Sequence, residues 1–123
     1  MATPIETITK FCAAWANLST EELMEYFAED GVYYNMPGTP WEGSEAVRAG
    51  IDGFLKTWTK TEWELLNIAA NGNTVIAERV DRTDMGDKHV DLPCVRVFEL
   101  DGDGKIKIWR DYFDMGTFVK AMS

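Results

Sequence analysis

Apolar side chains at Ile5, Ile8, Phe11, Cys12 and Trp15 recur at helical spacing, and Thr3-Pro4-Ile5-Glu6 has the form of a capping box with proline at the first helical position. A first helix is expected there. Ser19 followed by Glu22 repeats the capping signal, and Leu23, Met24 and Phe27 give the apolar stripe of a second, shorter helix ending near Gly31. Val32 to Met36 reads as a short aromatic strand, stopped by Pro37-Gly38-Thr39-Pro40. Ser44 then caps a third helix with Val47, Ile51, Phe54, Leu55 and Trp58 on one side. From about residue 61 the period changes to two, which predicts strands over 61–70, 73–84, 88–100 and 105–113. Asn71-Gly72 marks the first hairpin, Met85-Gly86-Asp87 the second and Asp101-Gly102-Asp103-Gly104 the third. The order of elements gives an α+β fold, with about three N-terminal helices covering the concave face of one strongly curved sheet. Such a cone leaves a pocket between sheet and helices.

Composition sharpens this picture in two respects. At 123 residues there is room for one domain, spanning 1–123, and five Trp, six Phe and four Tyr supply both a core and the walls of a cavity. Against 21 Asp and Glu there are only 12 Lys and Arg, a net charge of −9 without any basic run. Such a surface repels phosphate backbones and anionic lipid, so neither nucleic acid nor membrane is expected as a partner. No apolar stretch reaches the length of a membrane span and no leader is evident, which points to the cytoplasm. Cys12 and Cys94 are isolated and read as reduced, buried small hydrophobes.

Three strands carry polar groups on faces that ought to be apolar. In Val75-Ile76-Ala77-Glu78-Arg79-Val80-Asp81 the alternation puts Arg79 and Asp81 on one face with Val75 and Ala77. In Trp109-Arg110-Asp111-Tyr112-Phe113 it puts Asp111 between two aromatics, and in Val32-Tyr33-Tyr34-Asn35-Met36 it pairs Tyr33 with Asn35. If these faces look into the cone, five polar groups converge in an apolar cavity. Two carboxylates with one guanidinium leave a net −1, which one proton bound to the pair relieves; an aspartic acid and an aspartate then coexist, as acid/base chemistry requires. A buried structural ion pair is the plain alternative. The single histidine, His89, lies in a strand with no nucleophile elbow nearby, and Asp101-x-Asp103-Gly104 has the spacing of a turn rather than of a calcium loop. No metal-ligand cluster or Gly-rich phosphate cradle is evident, so no cofactor is expected.

Tyr33-Tyr34-Asn35-Met36-Pro37, Glu78-Arg79-Val80-Asp81 and Trp109-Arg110-Asp111-Tyr112-Phe113-Asp114 together resemble the limonene-1,2-epoxide hydrolase family over almost the whole chain. The resemblance implies the NTF2-like cone, and a catalytic triad of Arg79, Asp81 and Asp111 with Tyr33 and Asn35 holding a water. It further implies cofactor-independent addition of that water to small apolar epoxides of cyclic or terpenoid type, giving vicinal diols. Asp111 would act as base, Asp81 as acid, and Arg79 would bridge both. By matching positions Trp15, Phe54, Trp58, Leu92, Cys94, Phe113 and Phe118 would line the substrate pocket, and the protein would be a homodimer. Lys60 and Thr83 depart from the aliphatic residues of that family, and its longer N-terminal extension has no counterpart here. Ketosteroid-isomerase-like and polyketide-cyclase-like enzymes use the same cone, as do non-catalytic binders, so the fold alone does not separate these readings.

Overall fold

A computed structural model describes residues 2–35 and 39–122, the side chains of Asn35 and Met122 excepted. Helix α1 spans Pro4–Ala14 and is started by the expected box: Glu6 N donates to Thr3 Oγ1 (3.1 Å) and Thr3 N to Glu6 Oε1 (2.9 Å). Its buried face is Ile8, Phe11, Cys12 and Ala14, continued by Trp15 in a 3-10 turn. Helix α2 (Thr20–Met24) is capped by Ser19, and α3 covers Ser44–Thr57. The strands are β1 (Phe27–Asn35), β2 (Trp41–Glu42), β3 (Lys60–Asn71), β4 (Thr74–Met85), β5 (Lys88–Leu100) and β6 (Ile106–Phe113), and helix α4 (Met115–Met122) closes the chain.

Four boundaries differ from the sequence expectation. Helix α2 stops at Met24 rather than near Gly31, because Tyr26 O accepts from Ile106 N (2.7 Å) and draws the chain into the sheet from Phe27 onward. Gly31 therefore marks no helix end. A Cβ there would lie 3.1 Å from the carbonyl oxygens of both Ala28 and Ile106, so it is a close-approach glycine where β1 shifts register against β6. The cap of α3 is Gly43, at φ +89°, and Ser44 is the first helical residue. Helix α4 lies beyond the elements the sequence reading assigned; it starts because Asp114 accepts from Gly116 N (3.1 Å) and Thr117 Oγ1 (3.0 Å). Met36, Pro37 and Gly38 lie outside the described residues.

The sheet is mixed and curled, in the order β2-β1-β6-β5-β4-β3, with β1 parallel to β6 and the other neighbours antiparallel. Two hairpins carry two-residue loops whose first position is a glycine of positive φ, Gly72 (+62°) and Gly86 (+65°). In the third, Asp101 Oδ1 accepts from the amides of Asp103 and Lys105, which is the chemistry of a turn. Helix α1 packs on β3 and β4, α3 on β1 and β2, and α4 on β5. The space they enclose is aromatic at its base, where Phe11 meets Trp15, Trp109 and Phe98 edge-on.

Candidate active site

The pleat of four strands sends one polar set inward. On β4, Arg79, Asp81 and Thr83 are buried beside Val75 and Ala77; on β6, Asp111 is 1% exposed beside Trp109; on β1, Tyr33 is buried. Strand β5 adds a member that sequence reasoning missed. Arg96 is buried with Leu92, Cys94 and Phe98, directly opposite Asp111 in the β5–β6 register.

The hydrogen-bond pattern gives each group a distinct place. Asp81 Oδ2 accepts from Arg79 Nη2 (3.0 Å) and from Arg96 Nη2, and the Cys94 thiol lies 3.7 Å away. Asp81 Oδ1 is buried and has no hydrogen-bond partner among the described residues. Asp111 Oδ2 accepts from the Tyr33 hydroxyl, while Oδ1 accepts from Trp109 Nε1 (2.7 Å) and lies 2.8 Å from Arg96 Nε, an ion pair whose N–H points off the hydrogen-bond axis. Arg79 donates besides to Cys12 Sγ (3.2 Å) and Cys94 Sγ (3.7 Å). The two guanidinium carbons stand 3.9 and 4.3 Å from the Trp63 ring centre, so both cations also meet the same indole.

This geometry corrects two expectations. Arg79 does not bridge the carboxylates: it is wholly buried and pairs with Asp81 alone, whereas Arg96 reaches both. The cluster therefore holds two guanidiniums for two carboxylates and is formally neutral, where one guanidinium would have left −1. Burial nonetheless pushes Asp111 above the usual carboxylate range, against the attraction of Arg96 and Arg79 and the Tyr33 bond. For Arg96, burial opposes the charge, but the fields of Asp111 and Asp81 overcome it and hold the guanidinium protonated. Burial first, then the Asp111 charge, pushes the Tyr33 phenol well above its ordinary value, so it is a neutral donor. The Cys12 thiol is raised by burial too and stays uncharged.

A cavity of about 150 Å³ opens against this cluster. Trp15, Phe54, Trp58, Leu92, Phe113 and Phe118 are on its wall, as are Tyr33, Asp81, Thr83, Arg96 and Asp111. Cys94 and Arg79 are not; both sit behind Asp81. The side chain of Asn35 lies outside the described residues, though its backbone pairs with Asp111. Lys60 is exposed and apart from the cavity, while Thr83 turns its hydroxyl to Thr61 (2.8 Å) and presents little polarity. His89 lies outside the site, exposed between Asp84 and Asp91, both of which raise its pKa by hydrogen bonding. Among the described residues no group of three or more His, Cys, Asp or Glu could hold a metal ion, and no helix is long and apolar enough to cross a membrane.

Trp63 and Arg96 were legible only in part. Alternation from Leu92 and Cys94 carries Arg96 to the pocket face, a signal that could have found it; Val95 and Val97 leave the other face apolar too, and only the pairing with Asp111 gives Arg96 its carboxylate partner.

A curled sheet with helices on its concave face and a buried Arg–Asp cluster at the base of an aromatic cavity defines an NTF2-like α+β protein with a candidate acid/base site. The chain belongs to the SnoaL-like domain family, whose model matches residues 8–109. It is similar to epoxide hydrolase EphG of Mycobacterium tuberculosis, 39% identical over 61 residues, a stretch that covers 50% of this chain and 40% of that relative. A solved LEH-like epoxide hydrolase from M. tuberculosis superposes with a TM-score of 0.84 at 28% identity, over 96% of this chain and 87% of the other. An NTF2-like protein of unknown function from Burkholderia pseudomallei superposes at 0.88 with 14% identity, over 100% of this chain and 99% of the other, and shares the fold alone.

Proposed function

We propose that this protein is a cofactor-independent epoxide hydrolase acting on small apolar epoxides. The observation that carries this reading is the pair of buried carboxylates in unlike surroundings at one cavity wall: Asp111 with both oxygens engaged by donors, Asp81 with one oxygen free. Two acids made unequal by their environments divide into a base and an acid. Asp111 takes a proton from water as the water oxygen bonds to an epoxide carbon. The far C–O bond breaks in the same step, and its oxygen receives a proton from Asp81 Oδ1, the carboxylate oxygen that no donor occupies; the reactive form of the cluster thus holds one proton more than its formally neutral, fully ionised form. The diol leaves with Asp111 protonated and Asp81 ionised, and one proton returned from Asp111 to Asp81 through solvent resets the site. Neither carboxylate forms an ester, and no full alkoxide accumulates.

The wall offers rings of Trp15, Phe54, Trp58 and Phe113, and a cavity of about 150 Å³ is the size that holds a single benzene ring in other proteins. One-ring epoxides the size of cyclohexene oxide match it. Epoxide-hydrolase relatives support this reading over a ketosteroid-isomerase-like or polyketide-cyclase-like one, and over a passive binder, for which a buried four-charge cluster is an uncompensated cost. Incubation with these epoxides in oxygen-18 water, under single-turnover conditions, is expected to give diol carrying one label. Unlabelled diol in the first turnover, with label appearing in Asp111 or Asp81 afterwards, points instead to a carboxylate nucleophile.

The protein acts as a homodimer through the outer face of the sheet. Val95 lies opposite Tyr112 there, with Ile76 one row away, and all three are exposed at 37%, 43% and 48%. Pairing two copies of this apolar strip, with Glu78 and Arg110 at its flanks, removes it from water at both sides of a two-fold axis. Light scattering is expected to give the dimer mass for the native chain and the monomer mass for the Ile76→Asp/Val95→Asp double variant; a native monomer overturns the assignment.

A further inference from the structure

We infer that Arg96 is a positioning residue of this site: its guanidinium, rather than that of Arg79, holds Asp81 and Asp111 in one fixed relation for proton transfer to and from a single substrate. The inference rests on the hydrolase reading for its kinetic consequence but on geometry for its substance. Arg96 Nη2 donates to Asp81 Oδ2 and Arg96 Nε lies 2.8 Å from Asp111 Oδ1, so one planar group spans both carboxylates. Arg79 reaches Asp81 only and spends its other end on Cys12. Arg96 also lines the cavity, where Arg79 does not.

The placement follows from the sheet. Arg96 and Asp111 are directly opposite across β5 and β6, which fixes the Nε contact; the remaining side chain runs along the concave face to Asp81 on β4. Trp63 receives Arg96 at 4.3 Å and Trp109 at 5.2 Å, so the planar head is held by rings as well as by charge. Among the described residues, the charged and titratable groups that act on Asp111 are Tyr33 from β1, Arg79 and Asp81 from β4 and Arg96 from β5, with Cys94 from β5 and Cys12 from α1 behind them on Arg79. Tyr33 and Cys12 are neutral, as above; the two arginines and, through its hydrogen bond, the Tyr33 hydroxyl oppose protonation of Asp111. Of the two arginines, Arg96 exerts the larger pull on Asp111.

Two consequences separate this role from a passive one. Without Arg96 the buried Asp111 keeps its proton to higher pH, because an opposite charge in contact lowers a carboxylate by about 1–3 units. A lysine keeps the charge but, as a point donor, meets one carboxylate at a time. Arg96→Gln is therefore expected to move the acid limb of kcat/KM upward by at least about one pH unit, with kcat falling and KM little changed. Arg96→Lys is expected to keep the limb near its native position and to lose about tenfold in kcat.

The same variants are read without any turnover by carbon-13 NMR of labelled aspartate, with the Asp111 carboxyl assigned from its absence in Asp111→Asn. The Asp111 titration is expected to move upward in Arg96→Gln and to return in Arg96→Lys. An Arg96→Gln protein that folds only in acid reports the same shift as stability, since a raised carboxyl pKa gives stability that is lost as pH rises through it. Native profiles and native kcat in both variants, or an Arg96→Lys protein with full kcat, overturn the assignment. Absence of diol from the native protein at every pH overturns the hydrolase reading alone, and the NMR titration still decides the place of Arg96.

Discussion

Asp111→Asn and Asp81→Asn are each expected to keep the fold with a lowered melting midpoint, since each leaves a buried guanidinium short of its carboxylate, and to lose diol formation by about 10²–10⁴-fold, the range of positioned acid/base groups. Asparagine keeps the shape and most of the hydrogen bonds. At 111 its carbonyl can still accept from Trp109 while its NH2 donates to the Tyr33 oxygen, but it cannot take a proton from water. At 81 it can still accept from Arg79 and Arg96 through its carbonyl, but it has no acidic proton for the opening oxygen. Because base and acid act in one step, the double variant should lose little beyond either single one. Diol is measured by gas chromatography, with circular dichroism to show that each variant is folded. Retention of most of the native rate by either one shows that the residue is a structural partner and that the chemistry lies elsewhere in the cavity.

Arg79→Gln is expected to act on stability first. Its guanidinium is completely buried, paired with Asp81 at 3.0 Å, bonded to Cys12 Sγ and set over the Trp63 ring at 3.9 Å. Removing one partner of a buried pair typically costs about 3–5 kcal/mol, and the lower end applies because Arg96 still holds Asp81. In a domain of this size that is a large share of a total of about 5–15 kcal/mol. The melting midpoint should fall by roughly 10 °C, with turnover per folded molecule falling far less than in Asp111→Asn. Thermal melts and rates taken well below both midpoints measure the two effects separately. An unchanged midpoint with abolished turnover would return Arg79 to the bridging role that the family resemblance implied.

The contrast between the two arginines shows where sequence reasoning reaches its limit. Arg79 and Asp81 were legible as inward residues because Val75 and Ala77 define an apolar face on the same strand, and Asp111 because Trp109 and Phe113 flank it at spacing two. Arg96 continues the inward alternation of Leu92 and Cys94, but Val95 and Val97 leave the other face of its strand apolar too. Its carboxylate partner is decided by pairing with β6, a contact between residues fifteen apart that no local pattern encodes. Gly31 and Asp114 illustrate the same limit at element boundaries. One was a plausible helix stop and proved a close approach between strands, and the other was the last motif residue and proved a helix cap.

By itself the sequence determined the α+β cone, the hairpins at Gly72 and Gly86, the two capped N-terminal helices, and the inward placement of Tyr33, Arg79, Asp81 and Asp111. These follow from periodicity and turn chemistry, which act over a few residues. Tertiary structure decided which guanidinium joins the carboxylates, how many charges the cluster contains, and that Arg79 and Cys94 stand behind the wall rather than on it. Charge balance in a buried site is a sum over side chains from strands far apart in the chain, and that sum exists only once the register of the sheet has set them face to face.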